Sequence, residues 1–142
     1  MIRRCLFEDL ESITLLSQHD LGYPNTTLSL VQDNFNSLSL NPEHVIFVAQ
    51  HQDSVVGYVH AHIYRSIYSE PCVNVCGLAV NRAVRGYGFG KQLLQEVESW
   101  TLNNHLSAVR LNSNVIRTQA HAFYEHCGYH STKSQKHFYK TL

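Results

Sequence analysis

Val80-Asn81-Arg82-Ala83-Val84-Arg85-Gly86-Tyr87-Gly88-Phe89-Gly90-Lys91-Gln92-Leu93-Leu94 reads as the end of a strand, a glycine-punctuated basic turn and the start of a helix. Gly86, Gly88 and Gly90 stand at alternate positions. A glycine has no Cβ to hold a ligand away from the backbone N–H groups. A helix beginning at Gly88 or Phe89 adds unpaired N–H donors and the positive end of its dipole. Such a terminus is an anion site, and a diphosphate is its usual occupant. Arg85 and Lys91 flank the turn with positive charge.

Working outward from this turn, Val73 to Val80 is an apolar run suited to a strand buried on both faces. Before it, Val45 to Gln50 and Val55 to Tyr64 flank the turn Gln52-Asp53-Ser54 and predict a hairpin, while Ser66 to Pro71 reads as a loop. Ile2 to Arg4 predicts a short first strand. Leu10, Ile13 and Leu16 recur at three-residue steps, so a helix is expected over 8–19. Leu21-Gly22-Tyr23-Pro24-Asn25 breaks it. Thr26 and Thr27 are candidate caps for a second helix, with Leu28, Val31, Phe35 and Leu38 on one side, and Asn41-Pro42 ends it. After the turn, Phe89, Leu93, Val97 and Trp100 form the buried side of a helix that fades at Asn103-Asn104. Ala108 to Asn112 reads as a strand and Thr118 to Cys127 as a helix, with Gly128 just past its end. Tyr129 to Thr132 and His137 to Lys140 read as a closing hairpin. This order predicts an α+β fold, a mixed and mostly antiparallel central sheet flanked by about four helices. The 142 residues suit a single domain spanning 1–142.

Eleven basic and eleven acidic residues balance, so no global field favours nucleic acid or an anionic membrane. No apolar run is long enough to span a bilayer. The basic start Met1-Ile2-Arg3-Arg4-Cys5 is not followed by the apolar stretch of an export signal, so a cytoplasmic location is expected. Cys5, Cys72, Cys76 and Cys127 match no metal-knuckle spacing and read as buried thiols. No metal site is expected.

Arg85-Gly86-Tyr87-Gly88-Phe89-Gly90 fits the pattern Arg/Gln-x-x-Gly-x-Gly/Ala. It resembles the acetyl-coenzyme A signature of the GCN5-related N-acetyltransferases (GNAT). Gly77-Leu78-Ala79-Val80 resembles that family's preceding strand, and Lys91-Gln92-Leu93-Leu94 its helix. Downstream, Ala120-His121-Ala122-Phe123-Tyr124-Glu125-His126-Cys127-Gly128-Tyr129 resembles the family's Ala-x-x-Phe-Tyr-x-x-x-Gly-Phe/Tyr helix. A Walker sequence is absent, because no Gly-Lys-Ser/Thr follows the turn. The two motifs keep the family order and distance, so the resemblance covers essentially the whole chain.

The resemblance implies acetyl transfer from acetyl-coenzyme A to a primary amine. The N–H groups from Arg85 to Lys91, including those of Gly86, Tyr87, Gly88, Phe89 and Gly90, would hold the pyrophosphate. The Arg85 side chain would add charge-assisted bonds. The pantetheine arm would lie along Leu78, Ala79 and Val80 like an added strand. Tyr124 would protonate the leaving thiolate, since a phenol donates to developing negative charge without prior ionisation. Asn112 and Asn114 are candidates for the pantetheine amides or the acetyl carbonyl region, with turn formation as the alternative.

The base is not marked. Val73-Asn74-Val75-Cys76-Gly77 has no carboxylate where many family members place a glutamate. Glu70 through water, His60 and His62 are the candidates, and an imidazole has a suitable ordinary pKa of about 6.5. Small bacterial members acting on aminoalkylphosphonates and aminoglycosides carry segments similar to the C-terminal third. A small-molecule amine acceptor is therefore expected, and a homodimer is compatible. Two readings stay beside it: a non-catalytic acyl-coenzyme A sensor, and an acetyltransferase of protein amines.

Overall fold

Five strands form one sheet in the order β1-β2-β3-β4-β5: β1 (Ile2–Arg4), β2 (His44–His51), β3 (Ser54–Ser66), β4 (Ser69–Val80) and β5 (Val109–Leu111). The first four are antiparallel neighbours, and β5 runs parallel to β4. A parallel pair needs a crossover, and α3 (Phe89–Asn103) supplies it. The computed structural model describes residues 1–142. Its contacts divide into two compact units, Met1–Leu111 and Asn112–Leu142. The fold is mixed α/β with four α-helices, as the sequence predicts.

In the first unit the sheet has two different faces. Val48, Tyr58 and Ala79 pack with Leu10, Ile13 and Leu16 of α1 (Leu10–Leu16). On the other face a Cβ at Gly57 would touch Leu93 of α3, whose Leu93, Leu94 and Val97 are almost fully buried. Residues alternate between faces along a strand, so Tyr58 and Gly57 report opposite sides.

Local chemistry explains most boundaries. Gln52 and Asp53 turn the β2–β3 hairpin with φ of 50° and 64°, the left-handed pair of a two-residue turn matched to strand twist. Thr27 Oγ1 accepts the Leu30 N–H at 3.2 Å and caps α2 (Leu28–Leu38). The helix expected over 8–19 is divided. A 3-10 turn at Phe7–Asp9 precedes α1, and a π-helical turn at Ser17–Leu21 follows it, closed by Gly22 at φ 95°.

Two expectations are corrected. Ser66 to Pro71 is no loop: β3 runs through Ser66 and β4 starts at Ser69, with the two serine hydroxyls hydrogen-bonded across a two-residue turn. Pro71 is tolerated there because β5 pairs with β4 only from Val73 onward. The closing hairpin is also absent, since no strand follows α4 (Thr118–His126). Residues 130–142 are all exposed. Ser131-Thr132-Lys133-Ser134-Gln135-Lys136 has no apolar face with which to pay the entropy of ordering.

Candidate active site

The β4 strand outruns its neighbour. β5 ends at Leu111, opposite Val75, while β4 continues to Val80. Between them the β3–β4 register slips: His60 faces Gly77 and Ala61 faces Val75, leaving Cys76 as a bulge. The Val73 N–H donates to Ala108 at 2.9 Å, so Val73 faces β5. The Asn81 N–H donates to Val56 at 2.7 Å, so Asn81 faces β3. Alternation then turns Ala79 toward β3 and presents the backbone of Leu78 and Val80 to the side that β5 has vacated. Ala79 pairs with Tyr58 and is 2 % exposed. Of the three residues expected along the arm, Leu78 and Val80 thus offer edge groups and Ala79 offers none.

Beyond Val80 the chain forms a 3-10 turn at Arg82–Val84, then the glycine turn. Gly86 and Gly88 both have φ of 88°, and Gly88 is the residue from which α3 starts. The first bond of that start is Gln92 N–H to Gly88 at 3.0 Å. The N–H groups of Gly86, Gly88, Phe89, Gly90 and Lys91 donate to no acceptor in the chain. Those of Arg85 and Tyr87 are used inside the turn, on Arg82 and Val84. A cluster of five unsatisfied donors at a helix N-terminus is an anion cradle.

The arginines are tied back. Asp20 Oδ1 accepts the Arg82 N–H at 3.2 Å and its Nε at 3.4 Å, and lies 3.6 Å from Arg85 Nη2. Arg85 Nε also donates to the Val80 carbonyl at 3.3 Å. Arg85 therefore braces the turn against β4, with part of its charge offset by Asp20. Tyr87 stacks on Phe89, with His51 edge-on to Tyr87 and tilted against Phe89 at the same end of the sheet.

In the second unit, Tyr124 lies on α4, tilted against Phe123 and edge-on to Tyr129. Burial pushes its phenol pKa up, opposed by the nearby Arg117, so it stays protonated near neutral pH. Asn114 shapes the entry to α4: its Oδ1 accepts the Ile116 N–H at 3.1 Å and its carbonyl accepts from His121 Nε2 at 2.8 Å. Asn112 is exposed in the same segment.

Residues 10–129 match the model of the acetyltransferase (GNAT) family. The chain belongs to the GNAT acetyltransferase family. Its members are acyltransferases. No curated protein sequence matches the chain. Among solved structures, aminoglycoside acetyltransferase AAC(6')-Iy bound to the bisubstrate analogue CoA-S-monomethyl-acetylneamine is 19% identical. It covers 100% of this chain and 98% of its own, with a TM-score of 0.88. The 6'-N-acetyltransferase AAC(6')-IG of Acinetobacter haemolyticus is 15% identical over 100% of this chain and 99% of its own, TM-score 0.86. A transcriptional regulator from Bacillus halodurans C-125 is 19% identical over 99% of both chains, TM-score 0.86. At these identities the likeness is one of fold.

The candidate bases of this GNAT chain separate clearly. Glu70 is exposed near the start of β4, six residues before the bulge, or about 20 Å along an extended strand. His60 and His62 share the α1 face of β3 with a partner that sequence spacing does not reveal, His44 of β2. His44 Nδ1 lies 3.0 Å from His60 Nε2, and the His44 and His62 rings stack with centroids 5.0 Å apart. Burial, then His44 and His62, pushes the His60 pKa down to about 4. Burial and His62 lower that of His44, with Glu43 opposing. Both are neutral at pH 7. No group of three or more His, Cys, Asp and Glu side chains is arranged to hold a metal ion. No helix is long and apolar enough to cross a membrane.

Proposed function

We propose that the protein transfers acetyl from acetyl-coenzyme A to a primary amine of a small molecule, with residues 1–142 acting as one catalytic domain. The observation that carries the reading is the cradle of five unsatisfied N–H groups at the start of α3, continuous with the open edge of β4. The cradle holds the pyrophosphate. Leu78 and Val80 pair with the pantetheine amides as an added strand would. The family resemblance assigns Asn112 and Asn114 to the pantetheine amides.

The amine nitrogen attacks the thioester carbonyl carbon, the C–S bond breaks, and the departing sulfur takes the Tyr124 proton. A phenol whose pKa is raised is well suited to keep that proton until the sulfur needs it. Held geometry and backbone donors supply much of the rate, and the step calls for no metal. The aminoglycoside acceptors of structural neighbours support a small-molecule amine. Cytoplasmic action fits the thiols of Cys5, Cys72 and Cys76. A homodimer is compatible with it, and neither nucleic acid nor membrane takes part.

A second reading, an acyl-coenzyme A sensor without turnover, draws on the absence of any carboxylate in β4 beyond Glu70. One experiment separates the two. Calorimetry with acetyl-coenzyme A and coenzyme A is followed by thiol release over a panel of aminoglycosides, aminoalkylphosphonates, polyamines and amino-terminal peptides. Heat of binding with thiol release for a small amine supports the enzyme. Binding without release for any amine supports the sensor, and no binding of either form removes both.

A further inference from the structure

Three half-buried imidazoles sit together on the α1 face of the sheet, and the acid step does not use them. Their hydrogen bonds assign them different tasks. Arg110 Nη1 donates to Asn74 Oδ1 at 3.2 Å, which fixes the amide so that its Nδ2 donates to His62 Nε2 at 3.3 Å. His62 Nδ1 then donates to the Ile63 carbonyl at 3.2 Å. Both ring nitrogens of His62 are engaged, Nδ1 as donor and Nε2 as acceptor. His62 is a wall.

His44 and His60 are joined to each other by a single bond, Nδ1 of one to Nε2 of the other. With both rings neutral, one ring donates and the other accepts. The outer nitrogens, His60 Nδ1 and His44 Nε2, are then necessarily complementary: one bears hydrogen and the other a lone pair. Neither has a hydrogen-bond partner in the chain. A proton that enters at one end displaces one at the other.

The position of the pair matters as much as its bonding. His60 faces Gly77 across the β3–β4 ladder, at the bulge where the open edge begins. Gly77 has no side chain to screen it, and only Leu21 lies above, 3.3 Å from where a Cβ would stand. From the pyrophosphate to its sulfur, a pantetheine arm has about the length of four extended residues, ~13 Å. Laid from Val80 toward the bulge, it brings the thioester to Cys76 and Gly77, one strand from His60.

We propose that His60 and His44 form a two-ended proton relay that carries the acceptor amine's proton away from the thioester. This rests on the reading of the β4 edge as the coenzyme site. As the N–C bond forms, the amine hydrogen passes to His60 Nδ1. The His60 Nε2 hydrogen moves to His44 Nδ1, and the His44 Nε2 hydrogen leaves to solvent. The C–S bond breaks, the sulfur takes the Tyr124 proton, and the phenolate regains a proton from solvent that matches the one released at His44, so charge and protons balance. A relay never has to store the proton, which removes the objection that a buried imidazole titrating near 4 is a weak base.

The charged and titratable groups around the pair are few. They are His62 on β3; Glu43 before β2, held by Arg65; Cys76 on β4; and Arg110 on β5, through Asn74. Asp20 of the π-helical turn is committed to Arg82 and Arg85.

The test has two arms. In the first, thiol release from acetyl-coenzyme A is followed with water alone and with the amine panel, against pH, for His60→Gln and His44→Gln. The expected result is a fall of about a hundredfold for His60→Gln and about tenfold or more for His44→Gln, with coenzyme affinity within about twofold of the parent protein. A parental rate in His44→Gln with coenzyme still bound overturns the relay, even if His60→Gln is slow. In the second, ring nitrogen NMR of the unaltered protein with coenzyme A at pH 7 reads the tautomers directly. One protonated and one bare nitrogen on each of His44 and His60 supports the relay. An imidazolium on either, or loss of their mutual hydrogen bond, overturns it whatever the acceptor proves to be. Loss of coenzyme binding by the unaltered protein would instead remove the underlying site.

Discussion

Gly57→Ala should damage the open β4 edge, the proposed coenzyme site, from the β3 side. A Cβ at Gly57 would lie 3.0 Å from the Ala79 carbonyl oxygen, 3.3 Å from Leu93 Cδ1 and 3.3 Å from Val80 Cγ2. The two side-chain contacts can relax by small rotations. The carbonyl cannot, because Ala79 is paired with Tyr58 and buried. β4 must therefore move outward by a few tenths of an ångström at the residues flanked by Leu78 and Val80. Overpacking of this kind costs about 1–3 kcal/mol. Alanine recovers about 0.4–1 kcal/mol by restricting the unfolded chain. The net expectation is a loss of about 1–2 kcal/mol, or a drop of about 3–7 °C in Tm for a chain of this size. Coenzyme affinity should fall several-fold with it, since the edge amides are displaced. Gly77→Ala is the control for size in the melts alone, because its Cβ would meet only the side-chain end of Leu21. Thermal melts and calorimetry with coenzyme A read both quantities. A Gly57→Ala protein that melts at or above the parent Tm, with unchanged coenzyme affinity, refutes this account of the β3–β4 contact.

Further outcomes follow from the site and its supports. Tyr124→Phe should lower thiol release with an amine by about a hundredfold while leaving coenzyme affinity in place; parental turnover would remove the acid role. Gly88→Ala meets nothing closer than Gln92 Nε2 at 3.9 Å, so its cost is conformational, about 1–2 kcal/mol for a left-handed alanine. Coenzyme affinity should fall, and Gly88→Asn should recover part of it; equal melts for glycine, asparagine and alanine would contradict the φ of 88°. Asp9 accepts both Arg3 Nη1 and Nη2, at 2.7 and 2.9 Å, and the Leu6 N–H at 2.8 Å. The Arg3 bonds lower its pKa, with burial opposing. Its stabilisation is thus complete above the unfolded pKa of about 3.9 and is lost as pH falls through the lower folded value. Asp9→Asn should cost about 2 kcal/mol at pH 7, and the gap in denaturation midpoint should close as pH falls below the folded pKa; a gap that ignores pH would sink the ion-pair assignment.

Much of the scaffold is legible from local chemistry alone. The glycine turn and the start of α3 follow from residue type, because only glycine takes φ of 88° without strain. The β2–β3 hairpin follows from Gln52-Asp53, and α2 from its Thr27 cap. The C-terminal tail misleads because the isolated apolar residues Phe138 and Tyr139 suggest a strand, whereas the polar run before them gives no face to bury. The aromatics Phe35, Tyr64 and Tyr68 sit in three separate environments. Phe35 packs on Phe7, Tyr64 lies under Arg110, and Tyr68 is 83 % exposed. The pairing of His44 with His60 and the grip of Asp20 on Arg82 and Arg85 are contacts across register and topology. No spacing along the chain encodes them.

The bulge at Cys76 shows most clearly why the site itself resists reading from sequence. Val73-Asn74-Val75-Cys76-Gly77-Leu78-Ala79-Val80 is apolar at nearly every position, so burial on both faces hides the strand's parity. An unbroken β4 in register with β5 would direct Val73, Val75, Gly77 and Ala79 to one side. It would then offer Gly77 and Ala79 to an incoming arm, and Leu78 and Val80 to β3. One unpaired residue exchanges these two sets. The side chain of Ala79 thereby joins Val48 and Tyr58 under α1, while the hydrogen-bonding groups of Leu78 and Val80 are released at the edge. The same slip brings Gly77, the one residue of this stretch without a side chain, opposite His60. An open edge, a bare approach and an imidazole that can pass on a proton thus all depend on where a single residue is left out of the ladder.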